Sequence, residues 1–564
     1  MKKTLIIAVA ALCSGIIPAK AQHAGTIERT YISTDRQIYM AGEDILCSAF
    51  CVERNDGVSL SDLSSIAYVE IHSSEGPALT GKVALTGGRG AGCIHIPKTL
   101  PTGNYKLFAY TAQNRNEEGL DYARISRTIS IFNPYSGSRV KGGVDVVPDG
   151  DYRQGGGNME GFGPIGLEAP AAGAQGGRIR VKLTNASDAA VTLSIGITLD
   201  DGIHIPERST MREFVAVPAG DRSFSGRFIA EYEGETLRGH VTGLDPSKMT
   251  GVAGRVAFIS SPGERGDLYA ATIENDGSVL FNTCNIYGDK DLLCEIENLP
   301  GDLNCHIEFE SPFICPDAGE VERLSICKGL NDRLIRRSIG SQVEKAFGTD
   351  TLHALLPLRG NFLLSSGAVT YNLDDYTRFP LMEEVFTEFV SEMKVRKAED
   401  GSRDIRVMLN SMRGARFSKE NSLMLIDGVP VFNQEKVCSY DPLLVKSINI
   451  FTDTYYIGPR SYDGVANFIT YKRNLPGLKF DDNVRVIAFQ GAGIPQARTW
   501  ETVPDNFPDY RATLYWHPVV DVEAGGGLTF ECVLPGYAGK FIITAEGLTS
   551  DGKPVQLCHE FEVK

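Results

Sequence analysis

The sequence predicts a mainly β protein, built from tandem β-sandwiches and one α+β domain. Glycine accounts for 60 of 564 residues, about 11% against a usual value near 7%, and many glycines separate short runs rich in Val, Ile and Thr. Such runs alternate in polarity along residues 26–134 and 166–240, as strands with one buried face do. Residues 371–473 instead alternate helical and strand-like patterns.

Composition excludes several classes of protein. Hydrophobic residues make up 42% of the chain and charged residues 23%, close to globular averages, which argues against an intrinsically disordered protein. The formal net charge of −15 argues against a nucleic-acid-binding protein, because phosphate contacts need an excess of Lys and Arg. At roughly 100–200 residues per domain, the length accommodates several domains.

Residues 1–21 have the pattern of a secretory signal peptide. Lys2 and Lys3 precede an apolar run over residues 5–17, which is too short to span a membrane. The triplet Ala19-Lys20-Ala21 then fits a cleavage site. No later stretch approaches the roughly 20 continuous apolar residues of a spanning helix, so we expect no transmembrane segment.

Cleavage after Ala21 would leave Gln22 as the first residue. The basic count would fall from 56 to 53 against 71 acidic residues, which gives a formal charge of −18. Lipoprotein processing at Cys13 is the alternative, although Leu12 is a poor match for the residue before a lipidated cysteine. We therefore expect an exported protein, periplasmic or associated with the outer membrane, with at most a peripheral or lipid-anchored membrane contact.

The cysteines predict neither a zinc site nor a disulfide pattern. Cys13 is one of 12, so an odd number remains after cleavage and at least one thiol has no partner within the chain. No Cys-x-x-Cys pair or zinc-type Cys/His spacing occurs. Cys47 and Cys51 should face the same side of a strand as small buried residues. Five cysteines crowd residues 284–327, and the sequence leaves their pairing open.

The first strand-rich segment, residues 22–136, carries a series of short motifs. They are Tyr31-Ile-Ser-Thr-Asp35-Arg36, Tyr39-Met-Ala-Gly42-Glu43, Gly90-Ala-Gly-Cys-Ile-His-Ile-Pro97, Leu100-Pro-Thr-Gly103-Asn-Tyr105, Ala109-Tyr-Thr111 and Phe132-Asn-Pro134. Together they resemble the Ig-like, macroglobulin-type β-sandwich of large secreted Bacteroidota proteins. Proteinase-trapping macroglobulins also have a Cys-Gly-Glu-Gln thioester that this chain lacks, so the resemblance does not imply covalent trapping.

Two further modules are predicted before the middle of the chain. Residues 137–165, rich in Gly, Ser, Asp and Pro, predict a flexible linker, and residues 166–237 predict a second sandwich. Arg238-Gly-His-Val-Thr242, Gly254-Arg-Val-Ala-Phe258 and the turn Asn275-Asp276-Gly277 follow within residues 238–312. This segment resembles the carboxypeptidase-regulatory-like β-sandwich, a module that carries no peptidase residues.

Residues 313–370 predict a helical connector. Apolar residues recur there at spacings of three and four, and we expect this stripe to pack against a neighbouring sheet. The stripe consists of Val321, Leu324, Cys327, Leu330, Leu334, Ile335, Ile339 and Val343.

Residues 371–475 predict the α+β domain. Pro380 is placed to open a helix, and Asp441 and Pro442 are placed as the N-cap and first residue of another. The motifs here are Leu425-Ile-Asp427-Gly428-Val-Pro430, Asp441-Pro442, Ser447-Ile448-Asn-Ile450 and Tyr462-Asp-Gly464-Val-Ala-Asn-Phe-Ile-Thr470-Tyr-Lys472. In order and spacing they resemble the plug domain of TonB-dependent outer-membrane receptors.

Six residues of these motifs are candidates for a structural or contact role. They are Asp427, Gly428, Pro430, Asp441, Pro442 and Gly464. Asp427 is interpreted as fixing the turn that it enters, with a contact role as the alternative.

The remaining residues, 476–564, predict a C-terminal sandwich. They are too few for a receptor barrel, because each membrane strand takes about 10 residues and a large barrel needs several hundred. The sequence therefore resembles a receptor plug without its pore.

No motif for catalysis, cofactor binding or metal binding is present. The nine histidines form no His-Glu-x-x-His or His-x-His pattern, and neither Gly-x-Ser-x-Gly nor a Walker A loop occurs. The adjacent aspartate pairs at 200–201, 374–375 and 481–482 are interpreted as solvated loop charges, because neighbouring residues on a strand point to opposite faces. We expect no catalytic residue, no cofactor and no bound metal.

These features favour a non-enzymatic cell-envelope protein. The resemblances imply an interaction or scaffold module associated with outer-membrane transport or surface assembly through its plug-like domain. Its partner would be an envelope protein, such as an outer-membrane transporter or another secreted component. The alternative is a secreted hydrolase or glycan-active enzyme whose site is assembled from scattered acidic residues.

Overall fold

The structure is a computed structural model and is mainly β, so the predicted fold class is confirmed. It describes residues 27–54, 57–117, 120–152, 161–204, 210–218, 228–263, 266–284, 286–301, 303–351, 353–358, 368–397, 401–411, 414–419, 422–499 and 508–564. The predicted signal peptide and the alternative lipidation residue Cys13 lie outside the described residues. Among the described helices, none has the length and apolar content needed to cross a bilayer.

The first sandwich comprises nine strands. They are Glu28–Thr34, Ile38–Met40, Asp44–Glu53, Ser59–Leu60, Ile66–Ser73, Gly76–Thr86, Arg89–His95, Gly103–Tyr110 and Arg127–Phe132. A pairing of Thr30 with Ala109 links two distant strands of this sheet, so that the sheet folds back on itself. Cys47 and Cys51 lie in its core with Ile45 and Ala49, which confirms the prediction for these two thiols.

Residues 165–199 and 513–563 form one β-sandwich, here called the composite sandwich. One sheet contains Ile165–Glu168, Arg178–Asn185 and Gly527–Val533. The other contains, in spatial order, Ala172–Gly173, Pro554–Val563, Gly539–Thr549, Val191–Leu199 and Thr513–Val522. The sequence predicts two separate sandwiches, over residues 166–237 and 476–564, and this prediction is wrong. The two sets of strands bury one shared core, which neither set could cover alone.

A smaller sandwich, here called the inner sandwich, lies within the long insertion between residues 199 and 513. One sheet contains Ser278–Asn282, Thr236–Thr242 and His306–Phe309. The other contains Leu268–Thr272, Val256–Ser260, Asp289–Ile296 and Arg485–Gln490. Its last strand comes from far beyond the predicted boundary at residue 312, so this module is also interrupted by an insertion.

The α+β domain is the insertion within the inner sandwich. Its main sheet has the spatial order Val369–Asn372, Val445–Ile457, Arg460–Thr470, Leu423–Ile426 and Val429–Pro430. A second sheet contains Met393–Lys397, Arg403–Ser411 and Gly414–Phe417, and the helices are Met382–Glu388 and Gln434–Cys438. The helix expected at Pro380 and the strand before Asp427 are therefore present, with the helix beginning two residues after Pro380.

The predicted flexible linker, residues 137–165, is ordered over much of its described part. Strand Val144–Val146 pairs in parallel with Leu324–Ile326, and Val140 is buried in the core of the first sandwich. In the predicted helical connector, residues 313–370, strand Ala354–Leu355 likewise pairs with a distant segment, Gln496–Ala497. Backbone pairing between distant segments, which local composition does not encode, explains the difference.

The long helix Asn331–Phe347 packs with its polar side inward. Arg337, Ser341 and Glu344 are buried, whereas Ile335 and Ile339 are exposed. The predicted stripe is wrong in extent, because residues 324–326 form a strand. Its orientation is right at Leu324 and Leu330, which are buried in a cluster that Leu334 also contacts, and wrong at Ile335 and Ile339. The helix faces the carboxylates of Glu43 and Asp201, which belong to two different sandwiches, and Arg337 of the helix forms ion pairs with both.

Arg337 connects the first sandwich to the composite sandwich. Its guanidinium lies 3.2 Å from a Glu43 carboxylate oxygen and 3.3 Å from one of Asp201. Arg36 lies 3.2 Å from the same Glu43 oxygen. Although burial alone would raise the pKa of Glu43, Arg337 and Arg36 lower it to about 2. The cluster is thus a buried set of alternating charges across the domain junction.

Direct hydrogen bonds join the same two sandwiches at a second place. Arg127 lies 2.8 Å from a Glu546 carboxylate oxygen, and the Tyr31 hydroxyl donates to that carboxylate at 2.7 Å. The Thr513 hydroxyl donates to Asp35 at 2.6 Å. Tyr31 and Asp35 belong to the first motif identified in the sequence, and here they bind the neighbouring sandwich.

We predict that Arg337→Ala lowers the free energy of unfolding by about 3–5 kcal/mol, because buried Asp201 would lose its ion pair and Glu43 would keep only Arg36. Denaturant unfolding of the full mature chain measures this. Arg336→Ala is the matched control, since Arg336 is exposed on the same helix and its loss should cost about 0.5 kcal/mol or less. Equal losses in the two variants would contradict the assignment.

The segment before the inner sandwich is fastened to the first sandwich by a second buried cluster. Lys82 donates to both carboxylate oxygens of Glu235 at 2.7 Å. The Tyr68 hydroxyl and the Thr236 amide donate to Glu231 at 2.9 and 2.7 Å. Burial raises the pKa of Glu231 to about 7, and the nearby Glu235 adds to this effect.

A raised carboxyl pKa means that the folded protein binds a proton that the unfolded chain has already released. Stability from this group is therefore full below about pH 4.5 and is lost as the pH rises through about 7. We predict that Glu231→Gln flattens the pH dependence of the unfolding free energy between pH 5 and 8. Glu233→Gln is the control, because Glu233 is exposed. A slope unchanged in Glu231→Gln would contradict the prediction.

Candidate functional site

Asp427 ends a buried strand of the α+β domain and holds the turn that follows. Its backbone has a φ of 50°, a left-handed conformation that Asp tolerates better than most residues. The buried carboxylate accepts hydrogen bonds from the Thr470 amide and hydroxyl, both at 2.7 Å, and from the Leu475 amide at 2.9 Å. These contacts fit the interpretation that Asp427 fixes the turn and connects it to the chain after the sheet.

The same turn also contacts the inner sandwich. Gly428 has a φ of 87° and donates its amide to the Asn467 side chain at 3.0 Å. The Gly263 amide donates to the Asp427 carbonyl at 3.1 Å, and a Cβ on Gly428 would lie 3.6 Å from the Gly266 Cα. Pro430 pairs back with Leu425 beyond the turn. Asp427 thus has both a turn-fixing role and an intramolecular contact.

A shared apolar core fixes the α+β domain on the inner sandwich. Val256, Phe258 and Leu268 of the inner sandwich form one buried cluster with residues of the α+β sheet, namely Leu423, Leu425, Phe451, Ile457, Tyr462 and Val465. Arg460 and the Tyr462 hydroxyl reach the buried Glu297 at 2.7 and 3.2 Å. The α+β domain is therefore presented in a fixed orientation.

Gly464 allows the two sheets of the α+β domain to approach each other. It has a φ of 83°, and a Cβ built there would lie 2.5 Å from the Val407 Cβ. Both the backbone conformation and the close contact require glycine. Gly464 is thus a packing residue at this position.

Asp441 and Pro442 shape an exposed loop of the α+β domain, and the Leu444 carbonyl of this loop accepts from the amide of Tyr471, the residue after the Asp427 partner Thr470. The Asp441 carboxylate accepts from the Leu443 amide at 2.9 Å, which caps the 3-10 helix Pro442–Leu444 as predicted. Arg378 donates to the carbonyls of Pro442 and Val445 at 2.9 and 3.0 Å. The loop is held from both ends, and Leu443 projects from it.

Four exposed apolar side chains lie on this loop or on the two segments hydrogen-bonded to it, through Arg378 and through the Tyr471 amide, and we call them the Leu443 surface. They are Tyr376 (40% exposed), Leu381 (56%), Leu443 (55%) and Tyr471 (50%). The Tyr471 hydroxyl donates to Asp374 at 2.6 Å, and the Tyr471 amide donates to the Leu444 carbonyl. Large apolar groups exposed together on an ordered surface are typical of protein interaction sites.

The sequence motifs therefore divide between buried positions of the domain and one exposed loop. Asp427, Gly428, Pro430 and Gly464 lie inside the molecule, and Asp441 and Pro442 lie next to the Leu443 surface. Arg378, Leu381 and Tyr471 were not identified as candidates from the sequence. Their signal is weak, because single exposed Leu and Tyr residues are common and only the fold brings these together.

The described residues contain no group of three or more His, Cys, Asp or Glu side chains arranged to hold a metal ion. Cys294 and Cys305 are buried with free thiols. Not all aspartates of the adjacent pairs are solvated loop charges, because Asp201 is buried against Arg337. Asp374 binds Tyr471, and Asp481 lies 2.7 Å from Lys436.

Comparisons with known proteins give only distant structural similarities. No protein-family model and no curated protein matches the chain. The Escherichia coli alpha-2-macroglobulin activated by porcine elastase aligns with a TM-score of 0.23 and 9% identity, over 95% of this chain and 44% of that chain. The Salmonella alpha-2-macroglobulin reacted with methylamine aligns with a TM-score of 0.23 and 10% identity, over 96% of this chain and 40% of that chain.

A Ca2+-stabilized adhesin with which an Antarctic bacterium binds ice aligns with a TM-score of 0.10 and 8% identity, over 95% of this chain and 99% of that chain. The present chain spans less than half the length of either macroglobulin. TM-scores of this size support no conclusion about this protein. The macroglobulin-type, carboxypeptidase-regulatory-like and plug-like resemblances therefore stay predictions from the sequence.

We predict that Asp427→Asn destabilises the protein by about 2–3 kcal/mol, because an amide nitrogen would replace a carboxylate oxygen that faces buried donors. Asp441→Asn is the matched control, since Asn caps helices as well as Asp does. Thermal and denaturant unfolding measure both variants. A loss in Asp441→Asn as large as in Asp427→Asn would contradict the distinct roles given to the two aspartates.

Proposed function

We propose that this protein is a non-enzymatic interaction scaffold of the cell envelope, which binds a partner protein through the Leu443 surface of its α+β domain. The observation that carries the proposal is the combination of a fixed domain orientation with an ordered, exposed apolar surface. The domain is anchored by the cluster around Phe258 and by Glu297, so the surface needs no rearrangement before it binds. Preorganisation of this kind lowers the entropic cost of association.

The sequence pattern supports the location and the class of partner. The signal peptide pattern over residues 1–21 supports export, and the plug-like motifs around Asp427 and Asp441 support a partner in outer-membrane transport or surface assembly. The partner is thus an envelope protein, such as an outer-membrane transporter or another secreted component. The formal charge of −15 fits a protein partner better than a nucleic acid.

We expect a photo-crosslinking amino acid in place of Leu443 to capture a defined envelope protein in living cells. Leu280 provides the matched control, because it is an exposed leucine, 38% accessible, on a strand of the inner sandwich. Mass spectrometry of the adducts identifies the partner. Capture of the same proteins from both positions, or of none from Leu443, would refute the proposal.

The alternative of a secreted hydrolase has its own test. The purified protein is incubated with pools of glycans and peptides, and product formation is followed. Turnover that a single Asp or Glu substitution abolishes would replace the scaffold proposal.

A further inference from the structure

The inner sandwich has an open sheet edge, and the Gln490 end of that edge is held against the first sandwich by hydrogen bonds to Thr80. Strand Arg485–Gln490, here called the edge strand, is the last strand of its four-stranded sheet and pairs with Asp289–Ile296 on one side only. Among the described residues, no other strand pairs with its outer side. A strand edge of this kind presents a row of backbone donors and acceptors that can bind another strand.

The edge strand lacks the features with which proteins usually block such edges. Its sequence after Arg485 is Val-Ile-Ala-Phe-Gln, with no charge, no proline and no glycine. Ile487 and Phe489 pack on the inner core, whereas Val486 is 57% exposed and Ala488 is also exposed. The outward side chains are therefore apolar at Val486 and Ala488, and the third, Gln490, is hydrogen-bonded to Thr80 of the first sandwich.

An acidic cleft lies at the Arg485 end of the edge strand. It has a volume of about 920 Å³ and lies between the inner sandwich and the α+β domain. Glu295, Asp481 and Asp482 line it, together with the ring of Phe432 and the side chain of Arg485. A volume in this range accommodates a small ligand or one or two side chains of a peptide.

The charge of the cleft is only partly neutralised. Asp481 is paired with Lys436 at 2.7 Å, and Arg485 donates to the Asp482 carbonyl, not to its carboxylate. Within the described part of the chain, Glu295 and Asp482 have no ion pair. Burial, with Asp481 nearby, raises the pKa of Glu295 to about 7 although Lys436 and a hydrogen bond from Asn483 act in the opposite direction, and a second cation beside it would relieve this cost further.

We propose that the edge strand and the acidic cleft form a binding site for an extended peptide segment of a partner protein. The segment adds to the four-stranded sheet of the inner sandwich as its fifth strand and places a Lys or Arg side chain in the cleft. Main-chain hydrogen bonds supply the affinity in such strand addition, and the cleft selects a basic residue at one end. This site uses none of the residues of the Leu443 surface, so it does not depend on the proposed function.

A second copy of this chain is the competing occupant, since two edge strands could pair with each other. Charge complementarity favours the basic peptide. The strand itself carries only Arg485, and the cleft that it borders is acidic.

The test uses synthetic peptides of alternating Thr and Val with two lysines at one end, made in both directions, and matched peptides with two glutamates. Fluorescence anisotropy with the full mature protein measures binding, and hydrogen exchange of residues 485–490 locates it. We expect one lysine peptide to bind roughly tenfold more tightly than its glutamate match and to slow exchange in the edge strand.

Two variants and one control complete the test. Val486→Lys should abolish binding by placing a charge on the edge, and Asp482→Asn should weaken it roughly fivefold by removing a cleft charge. Leu280→Lys should bind the peptide unchanged. Absence of binding, equal affinity for lysine and glutamate peptides, or protection of residues 485–490 by concentration-dependent dimerisation would each overturn the proposal.

Discussion

Every module after the first sandwich depends on the pairing of residues 165–199 with residues 513–563. This pairing closes a loop of residues 200–512, which contains both the inner sandwich and the α+β domain. Closing a loop of that length costs on the order of 5 kcal/mol of chain entropy, because the cost grows only with the logarithm of loop length. The buried core of the composite sandwich offsets that cost many times over.

The insertion of one module into another, here called nesting, also explains why charged groups occupy the junctions between modules. The first sandwich, the composite sandwich and the long helix meet around Arg337, and each contributes a charge that could not be buried alone. A buried ion pair adds little net stability compared with an apolar contact. An arrangement of the modules that separates the pair, however, leaves a buried charge without its partner, which is strongly destabilising. The cluster therefore favours one relative arrangement of the modules over others.

The sequence predicts local structure well in this chain and long-range pairing poorly. The cap at Asp441, the helix near Pro380 and the inward Cys47 and Cys51 all follow from patterns within a few residues. The split of the composite sandwich does not, because alternation identifies a buried face but not the strand that lies beside it. The exposure of Ile335 and Ile339 is missed since an apolar stripe is normally buried, and here distant Glu43 and Asp201 bind the polar residues of the long helix instead.

Nesting has a consequence for proteolysis. A single cut between residues 310 and 484 would leave one fragment with strands Val191–Leu199 and Asp289–Ile296, and another with Thr513–Val522 and Arg485–Gln490. These strands pair across the cut in both sandwiches, so the two fragments would remain associated. The nicked protein would separate into two polypeptides in denaturant and migrate as one particle without it, a property that chains of consecutive domains do not share.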